Sequence, residues 1–437
     1  MSKTTLLRNG VLISLEPLKL EKLDLLIVDG RVAAKDQRIE APADCEVVDC
    51  RGRYIMPGFV DAHSHLYRSQ TLGLPDVAVL DGETEPAPTI EDVLTPETIV
   101  TSAFAGAMDA LSLGTTTLID LHQSSNQIHG SLGLVRDTVL TVGPRLVSGF
   151  EIDASRSVAS FDAALRENER FCADNRTERA RGTIGLGALS STSDEQLARV
   201  SAIAQELACG VQISCDENDE ARDLSLRQFG KNGINRLDEF GLLTPKTIIN
   251  YRGEITATDA EMLRSRQAWV IHSPSADALS GNPAQRFEDF GYFAALGSGG
   301  CRSNVFAESR AAFLQGRARA AEINPLDVIR MIVGGQQLGS ELLGLELGST
   351  NRDAGADFII LNYHARTPLT PETLPAHLIF GMGPEHITSV MIDGDLVYRA
   401  GNFPDIDMRR LSPLMRKGAE DLWQSLTHTT IEEEVQA

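Results

Sequence analysis

Pro57-Gly58-Phe59-Val60-Asp61-Ala62-His63-Ser64-His65 is the stretch on which the fold turns. Gly58–Ala62, apolar or small but for Asp61, reads as a short buried strand. In a strand, positions i and i+2 share a face, so His63 and His65 point the same way. Two imidazoles on one side of a strand end are half of a common zinc or iron site. A pair of buried, hydrogen-bonded histidines is the plainer alternative for a bare His-x-His.

Downstream, similar runs recur at Thr115–Leu121, Arg145–Ile152, Thr183–Leu189, Gly210–Ser214, Thr247–Asn250, Ala268–Ile271 and Tyr292–Gly297. Helical patterns separate most of them, as at Pro96–Leu113, Phe161–Asn175, Ser193–Ala208 and Thr258–Arg266. Ser193 before Asp194-Glu195 is a helix start with acids in the first turn, and Thr258 with Glu261 has capping-box spacing. Strand and helix in alternation predict an α/β fold, a (β/α)8 TIM-type barrel, with a doubly wound sheet as the alternative from pattern alone.

Upstream, residues 4–57 read as short strands. Asn9-Gly10 is a turn signal, Asp29-Gly30 a hairpin signal, and Val47–Ile55 a further strand. Strand signals return at Asp357–Asn362 and Ile387–Val397, where Asp393-Gly394 marks another hairpin. A small composite β-sandwich from both chain ends is therefore expected. The division is 1–56 and 351–405 for the sandwich, 57–350 for the barrel, and 406–437 for a helix and a solvated acidic tail.

The 437 residues are 42% hydrophobic, ample for a large core, and carry 40 Lys plus Arg against 61 Asp plus Glu, a formal charge of -21. Such acidity disfavours nucleic acid and anionic membranes as partners. No apolar run approaches the roughly 20 residues of a membrane span, and no signal-peptide core follows Met1. Six cysteines without a CxxC pair suit a reduced, cytoplasmic chain.

The Pro57–His65 motif resembles the amidohydrolase superfamily. So do the Leu-x-Asn-Gly strand near the start and Gly355-Ala356-Asp357-Phe358-Ile359-Ile360-Leu361 at the return to the sandwich. Asp120-Leu121-His122-Gln123-Ser124 and Ile128-His129-Gly130-Ser131-Leu132 are similar to the chlorohydrolase and aminohydrolase branch, nearest its SsnA-like members. The resemblance implies hydrolysis of a non-peptide C–N bond in a small polar nitrogenous substrate. It also implies a metal held by the His-x-His pair, a His on barrel strand 5, a His on strand 6 and an Asp on strand 8, and an assembly of two or more copies.

The chain departs from that pattern. No histidine lies between His129 and His272. Against the family's motifs, Ser214 and Tyr251 replace the two histidines and Gly299 replaces the aspartate. A catalytic zinc normally has three protein ligands plus water, and neutral hydroxyls are poor substitutes. The expectation is therefore a degenerate or absent metal centre: none bound tightly, or one divalent metal (Zn, Fe or Mn) held weakly by His63 and His65. Glu217 and His272 are the catalytic candidates, and His122, Tyr251, Ser214 and Arg302 the substrate-binding ones. Glu217 stands where the family keeps a proton-shuttling Glu, although the run Asp216–Glu220 also reads as a solvated acidic surface. The rival expectation is an inactive homologue with a ligand-binding or structural role. Cys301 is a further candidate, as a nucleophile, against the plainer reading of a small buried hydrophobe.

Overall fold

The computed structural model describes residues 3–72, 89–216, 219–252, 255–282, 291, 293–319 and 322–436. Glu217 and Tyr292, and the side chain of Arg252, lie outside what it describes.

At the start of the chain, β1 (Thr4–Leu15) and β2 (Leu18–Val28) form a long antiparallel pair, and β3 (Arg31–Asp36) extends it. Asp29 and Gly30 join β2 to β3 with φ of 47° and 76°, the left-handed pair that a two-residue hairpin requires. Asn9-Gly10 does not turn the chain. Asn9 takes φ 64° inside β1, where the register with β2 shifts, so the signal marks a bulge. The run Val47–Ile55 is likewise two strands, β4 (Glu46–Asp49) and β5 (Tyr54–Pro57), broken at Arg51-Gly52.

The barrel follows as β6 (Phe59–Ser64), β7 (Thr115–His122), β8 (Arg145–Ile152), β9 (Ala180–Leu186), β10 (Gly210–Asp216), β11 (Thr247–Arg252), β12 (Trp269–His272) and β13 (Ala294–Leu296). These form one 8-stranded sheet in strict chain order, with parallel pairing throughout the described residues. The ends of the sheet meet: Gly299 N–H donates to the His63 carbonyl at 2.9 Å, just past β13. A (β/α)8 barrel, not a doubly wound sheet, is the architecture.

Three late strands, β14 (Phe358–Leu361), β15 (Ile387–Ile392) and β16 (Asp395–Arg399), join the first sheet through β14 and β5. The sandwich is thus composite, as its sequence implied. A buried ion pair ties it to the barrel. Arg145, at the N-terminal end of β8, donates to both Asp357 carboxylate oxygens (2.7 and 2.9 Å) and to Asp393 (3.0 Å).

Helix boundaries follow caps. The helix Asp194–Leu207 starts on a Ser193/Gln196 capping box. Ala257–Ser265 is capped by Thr256, which accepts from Asp259 N–H, so the cap sits two residues before the Thr258 expected from spacing. The last helix runs from Met408 to Gln436 and carries the backbone of the acidic tail with it.

Candidate active site

Alternation along the barrel strands sets what faces the cavity. Ile213 and Cys215 of β10 and Ile249 and Tyr251 of β11 belong to the helix-side core with Leu237, Leu242 and Leu263. Ile248 and Ile271 belong to the barrel interior with Val60, Ala62, Ile119 and Val147. Ser214 pairs with Asn250 across these strands, and Cys215 pairs with Tyr251. The interior partner of Ser214 is therefore Asn250.

This changes one expectation. Tyr251 borders the cavity but is 2% exposed, sits in the helix-side core, and accepts at its hydroxyl from Arg222 Nη2 at 3.1 Å. The position facing the pocket at this level of strand 6 is Asn250. Asn250, a single carboxamide following the apolar pair Ile248-Ile249 in a barrel strand, was the signal in the sequence that could have drawn attention to it.

The cavity opens at the C-terminal ends of the strands and has a volume of about 980 Å³. His63 and His65 form part of its wall, together with Asn250, Ser273 and Asp277 among others. The two imidazoles are 3% and 6% exposed, with ring centroids 4.5 Å apart at 77°. His65 Nδ1 lies 2.7 Å from the Leu121 carbonyl. A carbonyl only accepts, so Nδ1 carries the proton and Nε2 keeps its lone pair. That is the tautomer a metal-ligating or proton-accepting imidazole uses.

The strand-8 position is closed to a carboxylate by more than its missing side chain. Gly299 has φ +59°, and a Cβ built there would lie 2.6 Å from the Ala276 Cβ and 3.0 Å from the Ser273 Cβ. Gly297 allows the same close approach from below, since a Cβ there would come within 2.8 Å of His63. Among the described residues, no three His, Cys, Asp or Glu side chains converge as a metal-holding group. The lining also holds Asp277, Asp109 and Cys301, but among the described residues none of these joins His63 and His65 in a three-donor group, so the described set does not fit a family-type catalytic cation site.

The other candidates are dispersed. His272 is 2% exposed, with Nδ1 3.7 Å from an Asp277 carboxylate oxygen. Burial, helped by the Arg319 charge, pushes its pKa down to about 3, so it is neutral at pH 7 and suits hydrogen bonding. His122 is fully buried with Nε2 3.0 Å from Ser124 Oγ, between the rings of Tyr67 and Phe150. Burial and His65 push it to about 3 as well, a structural environment rather than a binding one. Ser214 is half-buried beside Asn250. Arg302, at the rim, spends its guanidinium on Asp109, at 2.8 and 3.1 Å, with both side chains largely exposed. The Cys301 thiol is pushed up to about 11 by burial and by Glu308, so it is no thiolate at neutral pH.

Two buried acids near the mouth escaped the sequence reading. Asp61 accepts from Ser298 Oγ (2.6 Å), Ser298 N–H (2.8 Å) and His63 N–H (3.3 Å), and burial still raises its pKa. Glu308 accepts from Ser275 N–H at 3.0 Å and is pushed up to about 7 by burial, with Asp61 and Asp277 adding to the rise.

A profile of the amidohydrolase family matches residues 54–397. The chain belongs to the amidohydrolase family. It is 24% identical over 442 residues to a 5'-deoxyadenosine deaminase of Methanosarcina mazei, covering 95% of this chain and 98% of that one. To a 5-methylthioadenosine/S-adenosylhomocysteine deaminase of Thermococcus kodakarensis it is 26% identical over 408 residues, 90% and 93% of the two chains. An adenosine deaminase of Xanthomonas campestris solved with bound zinc superposes with a TM-score of 0.82 at 20% identity, over 96% and 98% of the chains. At that identity the superposition speaks for the fold alone.

Proposed function

We propose that this amidohydrolase-family chain is a hydrolase that cleaves a non-peptide C–N bond of a small polar nitrogenous molecule, an aminopurine nucleoside being the first class to try. The observation that carries this is the wall of the cavity: the His-x-His pair is retained at the strand ends, with its tautomer set by the Leu121 carbonyl. The full-length likeness to deaminases of adenosine-type nucleosides supports the substrate class.

The metal centre is degenerate. His63 and His65 hold a divalent cation weakly or not at all, and the chain's own groups carry the proton transfers. Glu217, which follows directly on β10, accepts a proton from water as the water oxygen bonds to the amidine carbon. The same proton then passes to the departing nitrogen as the C–N bond breaks and ammonia leaves. Neutral His272 and Ser214 hold polar groups of the substrate. An assembly of two or more copies belongs to the same proposal.

The test is ammonia release by the purified full chain from 5'-deoxyadenosine, 5'-methylthioadenosine and S-adenosylhomocysteine, beside a Glu217→Gln variant. Saturable release lost in the variant is the expected result. No release from any C–N substrate, with or without added zinc, sinks it. That outcome favours a second reading, an inactive relative that only binds a ligand, for which the closed strand-8 position around Gly299 is the specific support.

A further inference from the structure

Asn250 is 6% exposed and lines the cavity. Its Oδ1 and Nδ2 are both buried, and neither has a hydrogen-bond partner among the described residues. A buried donor or acceptor left unmet costs on the order of 1–3 kcal/mol. Native proteins keep few such groups, and each asks for an explanation. Gln212, on the same face of β10 as Ser214, is half met: its Nε2 donates to Thr183 Oγ1 (2.7 Å) and to the Asp120 carbonyl (3.2 Å), while its Oε1 has no partner among the described residues. Asn250 differs in that both of its polar atoms are unmet and it lines the cavity.

A carboxamide offers one acceptor and one pair of donors side by side in one plane. Its full complement is a planar edge with a donor beside an acceptor. A lactam edge, HN–C=O, has this pattern, and so does an amidine edge, N=C–NH2. A carboxylate presents acceptors only and an ammonium donors only, so neither pairs both atoms of Asn250. Across the sheet Asn250 faces Ser214 and Ile271, and the cavity wall beside it holds the two imidazoles. A ring held by this edge shares the cavity with His63 and His65.

We propose that Asn250 is the specificity-determining residue of this cavity, reading the lactam or amidine edge of a planar nitrogen heterocycle through paired hydrogen bonds. The proposal rests on the reading of the cavity as a substrate site and assigns the group that selects the substrate. The residue beside the one that the family resemblance matches to a metal ligand on strand 6 thus works as an organic recognition group.

The experiment is calorimetric titration of the full chain with inosine, which carries a lactam edge, and with 1-methylinosine, in which the donor is blocked. Wild type should bind inosine about tenfold or more tightly than its methylated partner, the discrimination expected when a site built for an N–H meets an analogue without it. Asn250→Leu should weaken inosine about tenfold or more and leave 1-methylinosine unchanged, so that the preference vanishes. Its unfolding midpoint should not fall, because the substitution removes a carboxamide that folding leaves unpaired. Asn250→Asp, nearly isosteric, keeps an acceptor and loses the donor, and should fall between the two. Wild type that binds neither nucleoside, or an Asn250→Leu chain with the preference intact, overturns the proposal. Ammonia release reads out separately. Release with discrimination untouched by Asn250→Leu removes this inference alone, and discrimination without release removes only the hydrolase reading.

Discussion

The N-terminal end of β8 and the mouth of the barrel treat buried polar groups in opposite ways. At the first, Arg145 is fully buried and its guanidinium is satisfied by Asp357, Asp393 and the Glu178 carbonyl. At the second, Asn250 has no partner among the described residues, Glu308 is raised to about 7, and His272 is held neutral. Paired burial serves stability and orientation of two sheets. The unpaired burial of Asn250 is tolerated where something from outside completes the set. The contrast assigns stability to one end and chemistry to the other, and substitutions at each end should separate accordingly.

The largest effect belongs to the paired end. Arg145→Met leaves the Asp357 carboxylate buried without its cation, and breaking such a pair costs about 3–5 kcal/mol. Denaturant unfolding should show that loss, while ligand affinity of the remaining folded fraction stays unchanged. A variant that unfolds at the wild-type midpoint would show that the sandwich is not anchored through this pair.

The second effect reverses the sign at the mouth. Glu308 has a folded pKa of about 7 against the ordinary 4.5, so the folded state binds its proton more tightly than the unfolded state does. Its contribution to stability is full below pH 4.5 and is lost as pH rises through 7. Glu308→Gln should therefore gain on wild type between pH 4.5 and 8, on the order of 1–3 kcal/mol given 1.36 kcal/mol per pKa unit. Unfolding midpoints of both proteins at pH 4.5 and 8 measure it. A constant difference across that range contradicts the assignment.

The smallest effect is at the rim. Arg302→Ala removes an exposed pair with Asp109, and such pairs contribute within about 1 kcal/mol, often nothing. Ligand affinity should also hold within about twofold, since the guanidinium is already engaged. A tenfold loss of affinity would restore Arg302 as a substrate-binding residue.

Much of this architecture is legible in the chain. The barrel strands announce themselves as apolar runs because both of their faces are buried, and the hairpins at Asp29-Gly30 and Asp393-Gly394 because their backbones need positive φ. Asn9-Gly10 misleads because a bulge makes the same demand on φ as a turn. The site is less legible. Single-residue register decides whether Asn250 or Tyr251 turns into the barrel, and a run in which Ile248 and Ile249 are equally apolar does not mark that register. The pairing of Ser214 with Asn250 fixes it. Asp61 and Glu308 stayed hidden because their raised pKa values come from burial in the folded chain, which outweighs the lowering hydrogen bonds from Ser298 and Ser275, and no local pattern encodes it.

The central claim is that the mouth of this barrel is shaped to recognise an organic edge rather than to grip a cation. Zinc affinity of the full chain, measured by competition with a chromophoric chelator at pH 7.5, tests it most directly. With no third donor converging on His63 and His65 among the described residues, the dissociation constant should be weaker than about 1 μM, short of the roughly 10 kcal/mol or more typical of complete protein zinc sites. One zinc per chain that survives purification and resists the chelator would contradict the account.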